Sequence, residues 1–204
     1  LRPDTRGGFM SDWTAEKVAQ RAIDLGLVEP RKLDSVWSAL GSRESTVDEM
    51  TNQLIGKGLL TNLQVDRLLR GERIGFFFGK YMNQYLIGTG TFARVYRSVH
   101  RETGEVVAVK VLRKRYRENL AELEQFLREG RMGSQLRHPN VVPIYEVDGN
   151  PRAPFMVMEF VEGQNLRDLV RVRKKFDPLM SLHVITEIAS GLAYAAEKGI
   201  THRD

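Results

Sequence analysis

Apolar residues recur at helical spacing through the first third of the chain. Trp13, Val18, Ala22 and Leu25 share one helical face, and Gly26 closes that run. Leu33, Val36, Trp37 and Leu40 repeat the pattern up to Gly41. Val47, Met50, Leu54 and Ile55 mark a third helix ended by Gly56 and Gly58, and Leu63, Val65, Leu68 and Leu69 a fourth ended by Gly71. From Tyr81 the apolar and polar positions follow strand-like spacing instead. Tyr81–Gly88, Arg94–His100 and Val106–Leu112 are rich in β-branched and aromatic residues, with Glu102-Thr103-Gly104-Glu105 as a turn between the last two. The spacing then predicts a helix over Glu118–Gln135, strands over Pro143–Val147 and Phe155–Val161, and helices over Asn165–Val172 and Ser181–Lys198. The last has Val184, Ile185, Ile188, Ala189, Leu192 and Ala193 on one face. Five strands with one inserted helix, followed by helices, predict an α+β lobe leading into a helical lobe, behind a small all-α bundle.

The bundle contains an internal repeat with a period of 32 residues: Gly26-Leu27-Val28-Glu29-Pro30 aligns with Gly58-Leu59-Leu60-Thr61-Asn62. Each copy reads as a helix stopped on glycine, two apolar residues that plug a core, then a new helix. Thr61 suits its N-cap, and Pro30 its first turn at the matching place. Four divisions follow: residues 1–10 as a disordered or non-native start (with Met10 as the expected true start), 11–70 as the helical domain, 71–80 as a linker, and 81–204 as the second domain. Phe76-Phe77-Phe78 at the linker's end is too apolar to leave in water and is expected to pack, at least in part, where the two regions meet.

Composition narrows the chemistry. With 42% hydrophobic and 28% charged residues, the chain is not disordered throughout. It has no cysteine, which excludes a disulfide scaffold and thiolate metal sites, and His100, His138, His183 and His202 are scattered without ligand spacing. A metal site made by these residues alone is not expected. No apolar run is read as approaching the roughly 20 residues of a transmembrane helix, so a cytoplasmic location is the default. Residues 1–75 are balanced at 11 basic and 11 acidic, and residues 76–204 carry the whole excess of +5. That excess suits a solvated surface or an acidic or phosphate-bearing partner. Aromatic and basic residues are not interleaved as in nucleic-acid binders, so no nucleic-acid partner is expected.

Three features carry chemistry. Gly88-Thr89-Gly90-Thr91-Phe92-Ala93-Arg94-Val95 is a glycine-rich octamer between two predicted strands. It fits either a plain turn or a hairpin folding over phosphates, and the strand–loop–strand order excludes a dinucleotide fold. Lys110, in Val107-Ala108-Val109-Lys110, sits among apolar neighbours. There it snorkels, blunts a sheet edge or meets an anion. If buried it needs a carboxylate, for which Glu129 is a candidate beside Glu122 and Glu124 on the same predicted helix.

Taken with Gly199-Ile-Thr-His202-Arg203-Asp204, His138-Pro-Asn-Val-Val142 and Phe155-Met-Val-Met-Glu-Phe-Val-Glu-Gly163, these stretches resemble the protein-kinase family over residues 81–204, in order and spacing. The resemblance implies a kinase N-lobe of five antiparallel strands plus helix C, then the start of the helical C-lobe. It implies that Gly88, Thr89, Gly90, Thr91, Phe92 and Ala93 cover the phosphates of ATP, and that Lys110 pairs with Glu129 and holds the phosphates. The backbone of Glu159 and Val161 would bind adenine beneath Met158, with Ile87, Val95 and Ala108 around the base. Asp204 would serve as the catalytic base. ATP and Mg²⁺ are the implied cofactors, and a protein hydroxyl the implied substrate. The sequence style resembles bacterial serine/threonine kinases, and the helical prefix resembles kinases of planctomycete-like bacteria. Ala93 departs from the third loop glycine, with a small effect expected if its φ is negative. The Mg²⁺-holding asparagine and Asp-Phe-Gly motif do not occur in the 204 residues, so no phosphotransfer is expected of this fragment by itself. The alternative is a pseudokinase or regulatory module. For residues 11–70, a docking role toward a partner is the further expectation.

Overall fold

The computed structural model describes residues 13–200. The expected start at Met10 and the His202-Arg203-Asp204 stretch lie outside the described residues. The chain divides into two compact units: one runs to Ile87 and resumes over Tyr96–Glu105, and the other holds Gly88–Val95 and the residues from Val106 onward. These boundaries differ from the composition shift at residues 71–80.

The first unit opens with α1 (Ala15–Asp24), α2 (Pro30–Leu40), α3 (Val47–Gly56) and α4 (Asn62–Leu69). The repeat in the sequence is a repeat in geometry. Gly26 and Gly58 both have φ +67°, a left-handed conformation that glycine adopts without strain. In the first copy the Leu27 and Val28 amides donate to the Ala22 carbonyl, and in the second the Leu59 and Leu60 amides donate to that of Leu54. The chain thereby turns Leu27, Val28 and Leu60 into one core with Val18, Leu33, Val36, Met50, Leu54 and Leu68. Thr61 caps α4 by a reciprocal arrangement in which Gln64 accepts from the Thr61 amide at 2.9 Å. At the matching place of the first copy, Pro30 has no N–H to satisfy, and Glu29 makes no side-chain cap.

Helix α3 has the same box with an acid in it: Glu49 accepts from the Thr46 amide at 2.8 Å and from its hydroxyl at 3.0 Å. The amide, then the hydroxyl, hold the Glu49 carboxyl below its ordinary range. A depressed folded value means that the stabilisation is present above the unfolded pKa and is lost as pH falls through the folded one. Glu49→Gln keeps the cap's acceptor and removes the titration. Acid melting curves should therefore show a smaller loss of Tm between neutral and acidic pH in the variant than in the parent, and equal losses would refute the assignment.

The same unit continues into β1 (Phe77–Phe78) and the larger parts, up to Ile87 and from Tyr96, of β2 (Tyr81–Thr89) and β3 (Ala93–His100), in the order β1-β2-β3. Phe76 is 2% exposed and completes the helical core, while Phe77 and Phe78 pair with Met82 and Tyr81 of β2. The triplet is thus shared between a core and a two-residue strand within the stretch read as linker. Burial, not pairing, was what its composition signalled.

In the second unit, β4 (Val106–Leu112) is followed by α5 (Lys114–Arg117), α6 (Leu120–Gly133), β5 (Ile144–Asp148), β6 (Phe155–Glu159), α7 (Leu166–Arg173) and α8 (Pro178–Glu197). The strands lie antiparallel in the order β4-β6-β5. All five expected strands form, so the fold is α+β, and β1 is an addition. The helix expected over Glu118–Gln135 forms as α6, which starts at Leu120 because Asn119 caps it through its side chain to the Ala121 and Glu122 amides, and the short α5 before it is an addition. Helix α8 begins earlier than expected, with Asp177 as its cap and Pro178 in its first turn.

One expectation is corrected. At 20 residues, with an 18-residue stretch of mean hydropathy 1.3, α8 is long and apolar enough, by length and composition only, to cross a membrane. Ser181, His183, Thr186 and Ser190 break its apolar runs, which hid a segment whose sole interior charge is Glu187. The same composition marks the core helix of a lobe. Leu182, Ile185, Ile188 and Leu192 are exposed on it. Its other side receives the His138–Asn140 stretch: His138 stacks on Tyr194 at 5.1 Å, and the Arg137 amide donates to the Tyr194 hydroxyl at 3.1 Å.

Candidate functional site

The site is built on the β4-β6-β5 sheet. Strand β4 is nearly all apolar, with Val107, Ala108, Val109, Val111 and Leu112 buried. Lys110 stands opposite Met156 of β6 and is the polar exception on that strand. Its ammonium lies 2.8 Å from Glu129 Oε1, on α6. Of the three carboxylates the sequence offered on that helix, Glu129 is the one that meets it.

Two neighbours of Glu129 explain why α6 delivers it there. Phe126, one turn earlier, is buried with Leu112 and Met156, and its ring centroid is 5.9 Å from the Lys110 ammonium. Gly130 lies against the sheet: a Cβ there would come within 2.9 Å of Val147 Cγ2 and 3.0 Å of Met156 Cε. Glycine lets the helix approach β5 and β6 closely, and the next turn repeats the device at Gly133 against Ile144. Neither Phe126 nor Gly130 was singled out from sequence. A glycine inside an otherwise helical pattern was the available signal.

The Lys110 and Glu129 side chains keep 28% and 60% of their exposure, so the pair is reachable from solvent. An ion pair this open contributes only about 0–1 kcal/mol to stability. Its significance is geometric: it fixes an ammonium with donors to spare in a known place.

The glycine-rich segment joins β2 to β3. Its tip closes on itself through the Gly90 amide and the Ala93 carbonyl at 2.9 Å. It is tied down where sequence gave no hint. The Arg113 amide donates to the Phe92 carbonyl at 2.9 Å, and the Arg115 guanidinium to the Thr91 carbonyl at 3.1 Å. The Phe92 and Tyr116 rings lie 4.8 Å apart. Ala93 is buried with Leu112, Phe126 and Met156 and has no positive φ, so the methyl group is accommodated. Neither Gly88 nor Gly90 has a positive φ, and an added Cβ would find ordinary contacts at 3.6 Å and 3.5 Å. The protein's own packing therefore gives no reason for glycine at either place.

The remaining expected residues are placed as follows. Ala108 is buried and pairs with Met158 across β4 and β6, and Glu159 ends β6 with its amide donating to the Pro143 carbonyl at 3.1 Å. Val161 is exposed just past β6, Val95 is half-buried on β3, and Ile87 is 47% exposed on β2 in the first unit. Thr89 and Thr91 are exposed. Asp204 lies outside the described residues. Among the described residues no three His, Cys, Asp or Glu side chains gather as a metal site.

Comparison with known proteins agrees with this arrangement. The model of the family described as protein kinase domain matches residues 81–204. Serine/threonine-protein kinase PrkC of Bacillus subtilis is 34% identical over 137 residues, covering 67% of this chain and 21% of that protein. Serine/threonine-protein kinase PknH of Mycobacterium bovis is 38% identical over 139 residues, 65% of this chain and 22% of its own length. A probable serine/threonine-protein kinase PknB of Bifidobacterium longum is 33% identical over 135 residues, 62% and 20%. The matched region thus spans about a fifth of each of these relatives. With the lysine and glutamate joined over the sheet and the family match covering everything from Tyr81 onward, the chain belongs to the protein kinase family.

Proposed function

We propose that the protein transfers the γ-phosphoryl group of ATP to serine or threonine hydroxyls of other proteins. The observation that carries this reading is the Lys110–Glu129 pair at 2.8 Å, set over a sheet beside a glycine-bearing hairpin. Protein kinases as a family use ATP with Mg²⁺, which together supply the transferable group and much of the charge neutralisation.

The residues present fit the nucleotide. Gly88 and Gly90 lack a side chain where neither φ nor packing asks for glycine, which suits close approach of the backbone by phosphate oxygens. Lys110 donates to those oxygens while Glu129 fixes its ammonium, and the positive charge sits where negative charge must be balanced. Ala108 offers a small apolar wall to a flat base, with Val95 in the same role. The Glu159 carbonyl and the Val161 amide read the edge of the base at the end of β6, and Met158 closes the space behind it. Asp204 orients the accepting hydroxyl and takes its proton. The residues that would hold Mg²⁺ belong to motifs the 204 residues do not contain, and no step is assigned to them.

The test uses the full-length protein with γ-labelled ATP, Mg²⁺ and a mixed protein substrate, followed by amino-acid analysis of the labelled product. Label on serine or threonine, lost in Asp204→Asn, is the expected result. Label on tyrosine alone refutes the residue class. Saturable nucleotide binding without transfer makes the protein a pseudokinase and refutes the catalytic reading.

A further inference from the structure

We propose that the four-helix segment serves the nucleotide site as a positioning element, holding the β2–β3 hairpin through Thr61 and Gln64, and is not a detachable docking domain. The inference rests on the nucleotide-binding reading above.

The residues that flank the glycine-rich segment on either side, Ile87 and Tyr96, both belong to the unit that contains the four helices. Within that unit, the N-terminal cap of α4 does two jobs. The Thr61 hydroxyl donates to the Gln84 carbonyl of β2 at 2.7 Å. Gln64 accepts from the Thr61 amide through Oε1 and donates through Nε2 to the Asn83 carbonyl at 2.8 Å. Asn83 carries the connection onward. Its side-chain amide donates to the Gly75 carbonyl at 2.9 Å, its Oδ1 accepts from the Ser98 hydroxyl of β3 at 2.8 Å, and its backbone amide donates to the Phe76 carbonyl at 2.8 Å. Gln64, Asn83 and Ser98 are 2%, 1% and 0% exposed.

Polar side chains buried to this degree are costly unless every donor and acceptor is met, and a fully met network specifies one arrangement. Here it joins α4, the stretch before β1, β2 and β3. Arg67 extends it, donating to the Tyr96 hydroxyl at 3.2 Å with the guanidinium 5.8 Å from that ring's centroid. A docking domain on a flexible linker would end its buried contacts at residue 70. This one continues them into the two strands from which the glycine-rich segment projects.

Gln64→Glu separates the two jobs of the residue. A carboxylate still accepts from the Thr61 amide, so α4 stays capped, but it has no proton for the Asn83 carbonyl. Hydrogen exchange on the intact chain is expected to rise about tenfold at amides of 81–87 and 96–100, with β4 and β6 unchanged. The Kd for Mg·ADP should rise about tenfold at a temperature where the variant's circular dichroism matches the parent's. Faster exchange confined to α4 overturns the proposal. So does faster exchange across the hairpin with an unchanged Kd, because a merely structural role would give that result. If Gln64→Glu does not fold, Ser98→Ala removes the hydroxyl that Asn83 Oδ1 needs and is read the same way. Absence of Mg·ADP binding to the unaltered full-length protein sinks the nucleotide reading and the positioning role with it. The exchange data then still decide whether helices and hairpin are one unit.

Discussion

Lys110→Met is expected to weaken Mg·ADP binding about ten- to a hundredfold while leaving the melting temperature close to the parent's. The two halves come from different magnitudes. A charge-assisted hydrogen bond to a phosphate contributes about 1.5–3 kcal/mol, which corresponds to that range of affinity. The ion pair with Glu129 is more than a quarter exposed on the lysine side and more than half on the glutamate side, so losing it costs about 0–1 kcal/mol of stability. Methionine keeps the apolar stem against Phe126, at which the ammonium lies 5.9 Å from the ring centroid. Glu129→Gln, which keeps the shape and leaves the ammonium in place but unanchored, should cost less affinity than Lys110→Met. Titration calorimetry and thermal melts on the same samples decide both. Parental affinity in Lys110→Met would remove the lysine from the site. A large fall in Tm with little change in affinity would make it a structural residue instead.

That pair was legible in the sequence because charge imposes a demand. A lysine in an apolar strand needs an anion, and the kinase-like spacing named Glu129 for it. The helical repeat was legible for a similar reason, since Gly26 and Gly58 both had to turn the chain in the left-handed region, one repeat apart. What stayed hidden are features whose cause is a partner distant in sequence. Gln64 reads as an ordinary helix residue, and only the fold puts the Asn83 carbonyl against its amide. Gly130 reads as a flaw in a helix until Val147 and Met156 are beneath it. The tie between Arg115 and Thr91 uses a backbone carbonyl, which no side-chain pattern advertises. Helix α8 shows the opposite problem. Its composition admits a membrane span or a lobe's core, and counting uninterrupted apolar runs passed over the first.

Phe76→Ala is the stability change expected to be largest. Phe76 is 2% exposed and sits in the core formed by all four helices, while its own carbonyl accepts from the Asn83 amide at 2.8 Å. Removing a buried phenylalanine ring costs about 3–5 kcal/mol when the cavity cannot collapse. Here the backbone at residue 76 is held by that hydrogen bond, and Gly75 before it has a φ of +87°, so the segment has little freedom to close the gap. Against a total of about 5–15 kcal/mol for a domain, a loss of that size leaves the first unit marginal. Phe77→Ala is the control. Its ring is partly exposed with the Arg101 guanidinium 4.9 Å from its centroid, an arrangement whose loss adds only about 0.5–1 kcal/mol to a smaller burial term. Urea titrations followed by tryptophan fluorescence suit the comparison, since Trp13 and Trp37 both pack against this core. The Phe76→Ala midpoint should fall far below that of Phe77→Ala with the slope unchanged. Equal midpoints would mean that the phenylalanine triplet packs as three equivalent surface side chains, and the assignment of Phe76 to the helical core would be wrong.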